Sequence, residues 1–123
     1  MKDGQTYIGT WFLHSSQVDV YVIRDTGGAY FLSPEPKRLP RIKVGILQDN
    51  WWEVRACAAH EVIEMLLCLH GCRLHRDGSY ADNSDGGVFL CDHAQFSDIV
   101  NNASAFMDRC EPALRKVWRK ERT

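Results

Sequence analysis

Apolar and polar positions alternate through the first third of the chain. They do so in TYIGTWFLH (6–14), VDVYVIR (18–24) and AYFL (29–32), segments rich in aromatic and β-branched residues. The breaks at Ser15-Ser16-Gln17 and Asp25-Thr26-Gly27-Gly28 fall where hairpin turns would sit, so this region predicts an antiparallel meander. Pro34, Pro36 and Pro40 then remove three amide donors, which makes SPEPKRLP an extended connector or an edge. RIKVGIL (41–47) resumes the alternation as a fourth strand.

At Asp49-Asn50 the period changes. Asn50 is a good helix N-cap with Glu53 three residues on, and Val54, Cys57, Ala58, Val62, Met65, Leu66 and Leu69 recur at helical spacing. The pattern predicts a helix over 51–70, with Gly71 supplying a left-handed exit. Residues 73–87 hold three Asp, one Asn, two Ser and three Gly, a composition that predicts loop. After the short apolar run VFLC, Asp92 with Gln95 marks a second helix start, and Phe96, Ile99, Val100, Ala103, Phe106 and Met107 give that helix one apolar face. Glu111-Pro112 is expected to break it and to open a third, short and basic helix. Sheet first and helices second is the α+β order. The expectation is one domain over 1–123, with an antiparallel sheet of three to four strands (about 6–47), two main helices and a short C-terminal helix (about 50–120).

Composition narrows the function classes. The formal charge of -1 lacks the basic excess of a nucleic-acid coat, and only the tail from Arg115 to Arg122 is locally basic. No apolar run approaches the roughly 20 residues that span a bilayer, and MKDGQT does not read as a secretory signal, so a cytoplasmic protein without membrane partners is expected. Five cysteines, an odd number in a chain long enough to bury a core, read as reduced thiols rather than a disulfide framework.

The chemistry concentrates in His60-Glu61-Val62-Ile63-Glu64, an H-E-x-x-E run inside the first predicted helix. Positions i and i+4 share a helix face, so His60 and Glu64 can offer an imidazole nitrogen and a carboxylate oxygen to one cation. Glu61, rotated by about 100°, can reach a water on that cation without ligating it, which is the placement of a general base in H-E-x-x-H enzymes. Zinc accepts this ligand set, as do harder ions such as manganese, iron or nickel. The plain alternative is a solvated His60–Glu64 pair.

The run AAHEVIEMLLCLHG, the acidic loop DGSYADNSD and the later DHAQFSDIV resemble a group of small bacteriophage and prophage proteins, and the whole is similar to a pared-down zincin metallopeptidase core. That resemblance implies a divalent ion, zinc first, held by His60, Glu64 and His93, with Asp82 or Asp85 as substitutes for His93 and Glu61 as base. It also implies a phage origin with location in the host cytoplasm, and a strand around 42–47 that aligns an extended substrate. The departure at Glu64, where metallopeptidases have His, speaks against proteolysis. The rival implication is a non-catalytic phage accessory or anti-defence protein that blocks a host protein, with Trp51, Trp52 or the basic tail as anchors and any metal purely structural.

Cys68, Cys72, His75, Cys91 and His93 do not have finger-like spacing and read better as buried thiols and polar side chains. Asp82 to Gly87 lacks the ligand positions of an EF-hand. His14 and His70 show no partner in the sequence.

Overall fold

The structure, a computed structural model, describes residues 4–32, 38–74 and 88–122. Strands β1 (Gln5–Leu13), β2 (Ser16–Ile23), β3 (Ala29–Phe31) and β4 (Arg41–Gly45) precede helix α1 (Trp51–Leu69), and a small pair, β5 (Arg73–Leu74) with β6 (Val88–Phe89), precedes helix α2 (His93–Glu121). The class is α+β, as the element order predicts.

The sheet is mixed, which corrects the expected antiparallel meander. Its order is β1-β2-β4-β3, with β1–β2 and β3–β4 antiparallel but β2–β4 parallel. The turn signals at 25–28 do not close a hairpin between β2 and β3. Instead the chain leaves β2 and crosses the end of β4, where Ile46 N–H donates to the Ile23 carbonyl (3.1 Å) and Leu47 N–H to the Asp25 carbonyl (3.1 Å). Gly45 makes the crossing feasible: a Cβ there would stand 2.2 Å from the Gly27 carbonyl oxygen and 2.4 Å from that of Asp25. The expectation that the 42–47 strand aligns a substrate fails for the same reason. β4 lies between β2 and β3, with Ile42 in register with Val20 on one side and Tyr30 on the other, so its backbone is committed to the sheet.

Both helices pack on the sheet, α1 over β4 and β3, α2 over β1 and against α1. Val18, Val20 and Val22 of β2 and Ile42 and Val44 of β4 point into this layer, together with Val54, Val62, Met65 and Leu66 of α1 and Phe106 and Leu114 of α2. Burying each such side chain contributes about 1.5–3 kcal/mol, which is how two layers of short elements hold together. Phe96, Val100 and Leu69, expected on apolar helix faces, are exposed. All five cysteines are free, and Cys68, Cys72 and Cys110 are buried. Burial pushes the Cys110 thiol up to about 12.

The helix ends follow the local chemistry. Asn50 Oδ1 accepts from Glu53 N–H at 3.0 Å. At the other end Gly71, at φ 68°, donates to the Cys68 carbonyl, while Cys72 N–H donates to the Leu67 carbonyl, a Schellman exit. Asp92 and Gln95 form a reciprocal capping box at the start of α2. Asp92→Ala should therefore cost about 1 kcal/mol in urea denaturation.

The third helix is absent as a separate element: α2 runs through Pro112 to Glu121. Pro112 removes one backbone bond at a cost near 3 kcal/mol in an unsupported helix. Packing on both sides offsets it, through buried Cys110 and Leu114, Trp118 against Trp51 (ring centroids 5.9 Å apart) and the Glu111–Arg55 pair at 3.3 Å. Among the described residues, no helix is long and apolar enough to cross a membrane.

Candidate metal centre on the first long helix

On α1 the His60 Nε2 lies 3.5 Å from Glu64 Oε1. The His60 imidazole is exposed, whereas Glu64 is half-buried. Glu61 also joins them, its carboxylate within 4.8 Å of the ligand atoms of both, so the three side chains converge rather than splay around the helix.

Glu61 is the unusual member. It falls on the core-facing stripe of Val54, Ala58, Met65 and Cys68, spaced 4-3-4-3, and is only 6% exposed. Its Oε2 is buried without a hydrogen-bond partner. The segment that crosses β4 creates this burial. Gly28 lies against the helix so closely that a Cβ there would be 3.0 Å from Glu61 Cγ, 3.0 Å from Cys57 Sγ and 2.7 Å from the Lys43 carbonyl oxygen. Burial pushes the Glu61 carboxyl above the usual carboxylate range. The His60 imidazole opposes that shift, Glu64 adds to it, and Arg73 opposes it again. A shallow groove of about 400 Å³ opens here between the 26–28 turn and α1, lined by Gly27, Gly28, Cys57, His60 and Glu61 among others.

Behind the carboxylates stands Arg73, 4% exposed. The Schellman turn at Gly71 reverses the chain and brings this guanidinium back along α1, 3.4 Å from Glu64 Oε2. Arg73 Nη1 also donates to the Tyr30 hydroxyl at 2.9 Å, and that hydroxyl lies 3.2 Å from Cys68 Sγ. Burial raises the Tyr30 phenol above its ordinary value, with Cys68 adding to the shift. Glu64 is thus fixed from behind through Oε2 and presents Oε1 toward His60, the way supporting contacts orient a ligating carboxylate.

His93 does not join this group. It is the first residue of α2, exposed, and belongs to neither cluster of ligand-type side chains among the described residues. Asp82 and Asp85 lie outside the described residues, as does His75. No cysteine belongs to either cluster. Trp51 is buried, and Trp52 is 72% exposed.

Sequence reasoning overlooked Arg73, Tyr30 and Gly28, which depend on long-range placement. For Glu61 a signal existed, because a glutamate in phase with an apolar stripe is expected to be buried. A second convergence, His14, His70 and Asp98, was equally invisible because no spacing links those positions. Compared with protein-family models, curated proteins and solved structures, the chain matches none.

Proposed function

We propose that the protein is a small metal-dependent hydrolase whose ion, zinc first among divalent candidates, is held by His60 and Glu64 and served by Glu61 as general base. The observation that carries this reading is the unpartnered, buried Oε2 of Glu61 beside a His–Glu pair of ligand spacing. A buried carboxylate oxygen without a donor is costly unless a proton or a cation meets it. Donors on an ion at about 2.0–2.1 Å in tetrahedral geometry stand roughly 3.3 Å apart, close to the 3.5 Å between His60 and Glu64.

Such an ion supplies Lewis acidity, which polarises a carbonyl or phosphoryl group and acidifies water. The chain's own residues do the rest. Arg73 holds Glu64 in orientation through Oε2. Glu61, whose burial raises its proton affinity, accepts the proton at Oε2 when water attacks. The segment at Gly28 shields that carboxylate from bulk solvent.

The test loads the protein with Zn2+ and follows hydrolysis of p-nitrophenyl acetate and bis-p-nitrophenyl phosphate. Glu61→Gln should retain ion and fold while losing about 100-fold or more in rate. Equal rates in wild type and Glu61→Gln, or no turnover of either ester, would defeat the hydrolase reading. The exposed indole of Trp52 favours the rival, a protein that covers a partner's surface. In that case Trp52→Ala abolishes the biological effect and Glu61→Gln leaves it intact.

A further inference from the structure

Ten residues beyond His60 along α1, about 15 Å at the helical rise, three elements meet at a second cluster. His14 sits in the turn between β1 and β2, His70 is the C-cap of α1, and Asp98 lies in the second turn of α2. Both imidazoles address one atom: His70 Nε2 is 3.2 Å and His14 Nε2 is 3.8 Å from Asp98 Oδ2. We propose that His14, His70 and Asp98 form a second, surface metal site for a zinc-class divalent ion, one that does not depend on the reading of the α1 site.

Several observations converge. The donor set, two imidazole nitrogens and one carboxylate oxygen, is one that zinc takes with three protein ligands and a fourth position left for water or another donor. The separations of 3.2 and 3.8 Å exceed the about 2.9 Å of a good N–H···O bond. They bracket the roughly 3.3 Å between donors on a tetrahedral ion.

The two rings meet edge to face with centroids 5.5 Å apart, so each can turn its Nε2 to a common point without stacking. Within the described residues, Asp98 has these two imidazoles as its ion-pair partners and no Lys or Arg. Finally, His14 holds a left-handed backbone at φ 58°, and its Nδ1 lies 3.2 Å from Ser15 Oγ. A hydrogen bond to one ring nitrogen fixes which one remains to ligate, so this contact leaves Nε2 for the ion. His14 and Asp98 are about half exposed, so an aqueous ion can reach the cluster.

An ion here would tie the β1–β2 turn, the end of α1 and the start of α2 to one point. Zn2+ should be titrated calorimetrically into His60→Ala, which removes the α1 site and leaves this one. His14→Asn is the informative partner variant, because Asn tolerates the left-handed backbone that the turn demands. His70→Gln tests a second ligand, and circular dichroism shows that each variant is folded.

The proposal expects one Zn2+ per chain in His60→Ala, a tenfold or greater loss of affinity on adding either His14→Asn or His70→Gln, and a Zn2+-dependent rise in Tm that both variants lose. No Zn2+ uptake by His60→Ala would overturn it. So would uptake that persists at unchanged affinity in the folded His14→Asn and His70→Gln variants.

Discussion

Gly45→Ala is expected to destabilise the protein by about 3 kcal/mol or more, at or beyond the upper end of typical overpacking penalties. The added methyl would stand 2.2 Å from the Gly27 carbonyl oxygen and 2.4 Å from that of Asp25. Both obstacles are backbone, so no rotamer change relieves them. The crossing itself must move, and with it the bonds from Ile46 to Ile23 and from Leu47 to Asp25. Against a total stability of roughly 5–15 kcal/mol for a domain, such a loss is readily measured as a lower urea midpoint. Gly27→Ala is the control. Nothing lies within 4 Å of a Cβ at that position, so its effect should stay within about 0.5 kcal/mol.

The second large effect is a pH-dependent gain of stability on replacing Glu61. In chelator, folding raises the Glu61 carboxyl above its ordinary value of 4.5, so the folded state holds that proton more tightly than the unfolded state. The associated stability is complete below pH 4.5 and is lost as pH rises through the folded value. Glu61→Gln carries no such charge. At pH 7 without metal it should be the more stable protein by about 1–3 kcal/mol, the cost of leaving a buried polar group unpaired. Zn2+ should leave that order unchanged, because Glu61 is not one of the proposed ligands. An ion at 100 times its dissociation constant stabilises either protein by about 2.7 kcal/mol, since the variant keeps both ligands. Urea curves at pH 5 and pH 7, with and without Zn2+, measure both halves. A Glu61→Gln variant that is less stable in chelator at pH 7 would show that the carboxylate is satisfied in the folded protein.

The residues that gave themselves away in the sequence are those whose partners are near in the chain. Asn50 with Glu53, Gly71 with Cys68, Asp92 with Gln95, and His60 with Glu64 are all separated by four residues or fewer, and local geometry makes them meet. The strand order was hidden because turn chemistry at 25–28 reports that the chain bends, not which strand it joins afterwards. The clash-free crossing at Gly45 is visible only when both segments are in place. Pro112 misled for a related reason. Its local cost is real, but contacts to Trp51 and Arg55, more than fifty positions away, hold the helix together across it. Arg73 reached Glu64 by a chain reversal, and His93, promising by its position after the acidic loop, is not part of the His60–Glu61–Glu64 cluster.

Whether α1 carries an ion is decided most directly by Zn2+ titration of protein bearing His14→Asn, which silences the second cluster. One Zn2+ per chain should bind, and adding His60→Ala should abolish that binding while circular dichroism remains unchanged. A folded double variant that still takes up one ion with the same affinity, or a His14→Asn protein that binds none, would contradict the assignment.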